Sequence, residues 1–197
     1  MRRLLFYLIN FLTYYRLIAA PILIVLMACH QVFLFKWLLA ISFFTDAVDG
    51  TLARTYRVTS KRGSVIDSIA DDLTILAAII SMLIYKPGFI MDHIYLIVVL
   101  LLFYLAQLTY ALGRYHRMSS FHTYLAKFAA VTQGVFIVAF FFLDQPPLWL
   151  FHITVWATIA DLFEEIILVA LLPHWVTNVK GIYWVLKNKP PADKGMV

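Results

Sequence analysis

Hydrophobic positions fall into six long runs, Asn10–Cys29, Val32–Tyr56, Arg62–Tyr85, Asp92–Arg114, His122–Leu143 and Leu148–Leu172. A helix that crosses a bilayer needs about 20 apolar residues, so each run predicts one transmembrane helix. Polar punctuation separates them. Lys86–Gly88 ("KPG") and Asp144–Pro147 ("DQPP") read as turns. Residues 3–9 read as an interfacial lead-in. The tail from Gly181 pairs aromatics with lysines, as suits a membrane surface, and is expected to fray from about residue 188. The expected fold is therefore all-α: one polytopic membrane domain over residues 1–197, with six transmembrane helices.

Composition agrees with this pattern. The 197 residues are 63% hydrophobic and 14% charged, against about 25% charged in soluble domains. The net charge of +5 would fit nucleic acid in a soluble protein. In a membrane protein it reflects the enrichment of Lys and Arg on the cytoplasmic side, so no nucleic-acid partner is expected. With six spans, fourteen of the sixteen basic residues fall on one side, and only Lys36 and Lys86 on the other. That asymmetry places both termini in the cytoplasm. Arg2 and Arg3 before an apolar stretch faintly resemble a secretory signal, but Asn10 and Arg16 interrupt it, and cleavage is not expected. The single Cys29 allows no internal disulfide.

Acidic residues change the picture. Asp46 and Asp49 lie three apart on the second helix, and Asp67 and Asp71 four apart on the third. Each pair shares a helical face. The short basic loop Thr55–Lys61 makes the two helices antiparallel neighbours, so four carboxylates converge at the cytoplasmic end of the pair. Four like charges in a low dielectric are costly. Divalent cations relieve that cost, and hard oxygen ligands at this density suit two Mg²⁺ or Mn²⁺ ions. Gly50 and Ala53 leave room for a phosphate-bearing ligand to approach the backbone. Arg54 and Ser60 can hold phosphate oxygens, and Gly63 allows a tight entry to the third helix. Metals beside a phosphate slot point to phosphoryl-type transfer. The alternative is that the acids only pair with Arg54, Arg57, Lys61 and Arg62. An EF-hand does not fit, because "DAVDG" lacks the alternating oxygen ligands.

The string Asp46-x-x-Asp49-Gly50-x-x-Ala53-Arg54, eight residues, Gly63-x-x-x-Asp67-x-x-x-Asp71 resembles the signature of the CDP-alcohol phosphotransferase family, and all eight fixed positions match. The resemblance implies that Asp46, Asp49, Asp67 and Asp71 bind two metal ions. It implies that Asp71 is the general base for the acceptor hydroxyl, and that CMP leaves as the acceptor oxygen attacks phosphorus. Gly50, Ala53 and Arg54 would line the CDP site, with Ser60 at a diphosphate contact. Partners implied are CDP-diacylglycerol or another CDP-alcohol, a small alcohol acceptor, membrane lipids and a second copy in a homodimer. The place implied is an integral membrane, the inner membrane in a bacterium, with the active site facing the cytoplasm.

Asn10-x-Leu12-Thr13-x-x-Arg16, with Pro21 beyond, resembles the opening of phosphatidylglycerophosphate synthases and eukaryotic-type cardiolipin synthases. There Asn10 would help close the nucleotide pocket, and glycerol 3-phosphate would be the acceptor. The bland alternative is an interfacial helix start with Asn10 and Thr13 as caps and Arg16 snorkelling. Two positions depart from that pattern: Asp72 stands where lysine is common, and Ala129 where a second lysine is expected. Arg16, Arg114, Arg117 and Lys127 are the cations left for a phosphorylated acceptor. Asp161, Glu164 and Glu165 lie deep in the sixth run. They read as a site for an inositol-, choline- or ethanolamine-type acceptor, as a cap on a basic residue such as Arg16, or as internal or dimer pairing. A cation transporter could use the same acids, but it would show repeats or paired broken helices, and none is found.

Overall fold

The computed structural model describes residues 2–56, 61–116, 121, 123–174, 176 and 179–187; within its helices, side chains are described at 11, 14–46, 66, 70 and from 73 onward. Among the described residues it is all-helical, with α1 (Arg2–Ala28), α2 (Val32–Tyr56), α3 (Lys61–Tyr85), α4 (Pro87–Asp92), α5 (Ile94–Tyr115), α6 (Tyr124–Phe142), α7 (Leu148–Leu171) and α8 (Ile182–Lys187). The six long helices coincide with the six hydrophobic runs. Two of them, α5 and α6, are long and apolar enough to cross a membrane by length and composition, and the apolar stretches Tyr14–Ala28 and Leu73–Tyr85 are shorter.

Three expectations change in detail. α1 is one continuous helix from Arg2, so the lead-in and the first run are a single element. Lys86–Gly88 is not a turn throughout, because only Lys86 is non-helical and α4 starts at Pro87. Proline favours the first helical position, where its fixed φ fits and its missing N–H costs nothing. The aromatic segment Ile182–Lys187 forms a short helix of its own. Ser60 and the tail from residue 188 lie outside the described residues.

The chain divides into two compact units, one of residues up to Asp92 with Ile137–Gln145, the other of His93–Phe136 with Pro146 onward. In the first unit α1 packs against α2 and α3. The buried stripe on α1 is Arg16, Ala19, Ala20, Leu23 and Met27, and on α2 it is Phe35, Leu39 and Ser42. Both follow helical spacing. On α3 the buried positions are Ala70, Thr74, Ala77, Ala78, Ser81 and Met82. In a bilayer the hydrophobic effect does not drive helices together. Small residues do, by letting backbones approach closely.

α1 ends at a reversal around His30, which takes the left-handed conformation with φ 55°. Gln31 N–H donates to Leu26 O at 2.8 Å and His30 N–H to Met27 O at 3.0 Å, the bond pattern that closes a helix with one left-handed residue. At the far end of this unit Lys86 Nζ donates to Phe140 O at 2.9 Å and Leu143 O at 2.6 Å. A cation there satisfies carbonyls at the C-terminal end of α6 and suits its dipole. Rings close over the same place: Phe35 meets Phe141 edge-on at 4.7 Å, and Tyr85 stacks on Phe141 at 5.6 Å.

In the second unit α5 packs along α7, and α8 returns to α7. Polar side chains link its helices within the apolar surroundings. Gln133 Nε2 donates to Thr158 Oγ1 at 2.8 Å, Thr154 Oγ1 donates to Thr132 O at 3.1 Å, and Gln107 Nε2 donates to Glu165 Oε2 at 2.6 Å. The end of this unit is held by Ala111, Phe121, Leu168, Val169 and Val179. Val179 N–H donates to Phe121 O at 2.8 Å.

Candidate active site

The motif lies on α2 and α3, which pack against each other and against α1. Asp46 is the one motif aspartate whose side chain is described, and it is the informative one. Its stripe on α2 runs Phe35, Leu39, Ser42, Asp46, so the carboxylate follows directly from the buried face. Thr45 Oγ1 donates to Ser42 O at 2.9 Å, which spends that hydroxyl on the backbone. The Asp46 Oδ1 atom is ion-paired with Nη1 of Arg16. Arg16 is 1% exposed while Asp46 is 43% exposed. The pair therefore straddles a boundary, with the cation inside the helix packing and the anion at its edge.

The snorkelling expectation for Arg16 is thereby corrected. An arginine on the same stripe as Ala19, Ala20 and Leu23 cannot reach the surface, and burying it unpaired is costly. The sequence signal was available: a permanent cation on the buried stripe of an apolar helix needs an anion on a neighbouring helix. What spacing does not reveal is which anion, because the pairing is 30 residues away.

Asp49, Gly50, Ala53 and Arg54 lie on α2 and Asp67 and Asp71 on α3, while Asn10 lies on α1; their side chains fall outside the described residues, as Ser60 does altogether. No group of three His, Cys, Asp or Glu gathers in metal-holding geometry among the described residues. The donor chemistry nonetheless fits a hard divalent ion: Asp46 offers carboxylate oxygen, is exposed on one side, and has its position held from the other. Ions bound by Asp46, Asp49, Asp67 and Asp71 would supply charge neutralisation for a diphosphate.

The acids of α7 are used differently. Glu165 accepts from Gln107, and Glu164 Oε1 accepts the Ile182 N–H at 3.2 Å at the start of α8. Asp161 Oδ1 and Glu164 Oε2 are buried with no hydrogen-bond partner among the described residues. Internal pairing is thus observed for Glu164 and Glu165. Two of the cations considered for a phosphorylated acceptor are engaged as well, Arg16 with Asp46 and Arg114 with Leu172 O at 3.5 Å.

Comparison with known proteins adds three findings. Residues 6–176 match the family model described as CDP-alcohol phosphatidyltransferase. A stretch of 67 residues is 39% identical to the CDP-diacylglycerol–inositol 3-phosphatidyltransferase of Saccharomyces cerevisiae. That match spans 34% of this chain and 30% of the yeast protein. No solved structure matches.

Proposed function

The chain belongs to the CDP-alcohol phosphatidyltransferase family, and on that premise we propose that it transfers a phosphatidyl group from CDP-diacylglycerol to a small polyol, releasing CMP. The observation that carries this reading is the intact eight-position motif on two helices that pack together against α1.

Asp46, Asp49, Asp67 and Asp71 hold two Mg²⁺ or Mn²⁺ ions, which offset the charge of the donor's diphosphate. Gly50 and Ala53 let the nucleotide approach the α2 backbone, and Arg54 and Ser60 engage phosphate oxygens. Asn10 closes the pocket from α1. Asp71 takes the proton of the acceptor hydroxyl. The acceptor oxygen forms a bond to the phosphorus that carries the diacylglycerol, the bond from that phosphorus to the CMP oxygen breaks, and CMP departs. Six spans, both termini and the site on the cytoplasmic side, and a homodimer complete the reading. In a bacterium the membrane is the inner one.

Glycerol 3-phosphate is the acceptor that the Asn10-x-Leu12-Thr13-x-x-Arg16 pattern favours. Inositol is the second reading, and specific observations favour it. The yeast relative is named for inositol, Asp72 and Ala129 stand where lysines are expected, and Arg16 already has a carboxylate partner.

The purified chain in detergent is incubated with CDP-diacylglycerol, Mg²⁺ or Mn²⁺, and in turn glycerol 3-phosphate, inositol, inositol phosphate, choline or ethanolamine, and CMP release is followed. Release with one polyol and not the amino-alcohols is expected. Asp71→Asn should cut turnover by about 10²–10⁴-fold, the span of general-base catalysis, while nucleotide binding survives. Turnover near the parent rate in that variant removes Asp71 from the role of base.

A further inference from the structure

We propose that Arg16 is a positioning residue for the metal site, its buried guanidinium holding the Asp46 carboxylate in the orientation that a divalent ion needs. The inference rests on reading the four motif aspartates as metal ligands, and it adds a residue from outside the motif to that site.

The placement of the pair is the first support. Arg16 extends the buried stripe of α1, and Asp46 extends that of α2. The guanidinium is enclosed by helix packing, so its own position is set. Its planar fork restricts a carboxylate more than a flexible ammonium would, and it stays charged at any working pH. An aspartate at a helix edge otherwise turns freely about its side-chain bonds.

Exposure is the second support. Burying both charges would add a second desolvation cost, and exposing both would leave little net attraction. Here the cation is sealed in and the anion stays 43% exposed. One carboxylate oxygen is engaged from inside, and the residue keeps an exposed side where an ion can approach. Metal-ligating groups are commonly held in this way by an outer hydrogen-bonding partner, whose loss costs about 10–100-fold in metal affinity.

A fixed cation beside a ligand also repels a second cation. Four carboxylates and one guanidinium leave about three negative charges at the site, so attraction for a divalent ion persists with Arg16 in place. The positioning role requires that the lost orientation outweigh the relieved repulsion, so that removing Arg16 weakens metal binding.

The test is a Mn²⁺ titration of the full-length chain in detergent, with free Mn²⁺ read by electron paramagnetic resonance. Parent, Arg16→Met, Arg16→Lys and Asp67→Asn are compared. Arg16→Met should weaken Mn²⁺ binding by about 10–100-fold, and Arg16→Lys should recover part of the loss because it keeps the charge without the fork. Unchanged or tighter binding in Arg16→Met, with Asp67→Asn weakened, overturns the positioning role and leaves the metal site standing. Unchanged binding in Asp67→Asn brings down the reading of the motif aspartates, and the inference with it. If Arg16→Met does not fold, Arg16→Lys decides alone: weakening of about 3-fold or more supports the role, and parent-like affinity refutes it.

Discussion

Asp46 on α2 and Glu164 on α7 are both carboxylates inside long apolar helices, and their partners differ. Asp46 is ion-paired with the buried guanidinium of Arg16 and is left open on its other side. Glu164 accepts a neutral backbone N–H, that of Ile182. In the first unit α1, α2 and α3 bury alanines and serines. The second unit is cross-linked by Gln107, Gln133, Thr154 and Thr158. An acid in an apolar helix thus has two readings, and the partner and the open side tell them apart. A cation behind and an exposed side in front suit the proposed ligand-binding role of Asp46. A backbone N–H in front marks an internal tie.

The sharpest way to break that contrast is to neutralise one acid of each kind. Asp46→Asn should lower CMP release at least about 100-fold, since even an outer-shell partner costs 10–100-fold. Glu164→Gln keeps an oxygen for the Ile182 N–H and should leave release within about 3-fold of the parent. Equal losses in the two variants would dissolve the distinction between the units.

A smaller effect is expected from the polar links of the second unit. Thr158→Val keeps the side-chain shape but removes the acceptor for Gln133 and the donor to Thr154 O. Hydrogen bonds between helices in membranes average about 0.6 kcal/mol and reach about 1.7. For a chain of this size that is a melting-temperature drop of roughly 1–6 °C, read by a thermal unfolding assay in detergent, with turnover per folded molecule unchanged. Lost turnover at an unchanged melting temperature would give Thr158 a role in the chemistry.

Much of this was legible in the chain. The boundaries at Cys29 and Val32, at Tyr56 and at Tyr85 follow from where apolar runs stop and charges or turn residues begin. α4 was not, because Lys-Pro-Gly looks like a turn until Pro87 is recognised as a helix start. The candidate site was legible as a list of aspartates, since local spacing on two helices suffices to write it down. The Arg16–Asp46 pair was not, because it is long-range: a buried cation announces that it needs an anion, but packing chooses which one. For the same reason Glu164 could be marked as an unusual acid, while its partner, a backbone N–H some 18 residues on, could not be named.

The most local predicted effect concerns the tie between α7 and the last helix. Gly181 precedes α8 with φ 145°, a conformation that side chains bearing a Cβ rarely adopt. A Cβ built there would lie 3.1 Å from Glu164 Oε1, against the same atom that accepts the Ile182 N–H. Gly181→Ala therefore strains the backbone and crowds the acceptor at once. α8 is six residues long and cannot persist by helix propensity alone, so its place depends on this contact, on Ile182 and Val185 packed against the Leu168–Val179 cluster, and on Trp184, whose ring lies 5.4 Å from that of Tyr124. Backbone strain of this kind costs about 1–3 kcal/mol, enough to loosen α8 while α5, α6 and α7 keep their packing. Limited trypsin digestion should cut faster after Lys180 and Lys187, by about 5–160-fold if opening is rapid relative to cleavage. CMP release should stay near the parent rate, because the tie belongs to the second unit and the motif to the first. Parent-like digestion of Gly181→Ala would mean that Gly181 is not what holds the start of α8.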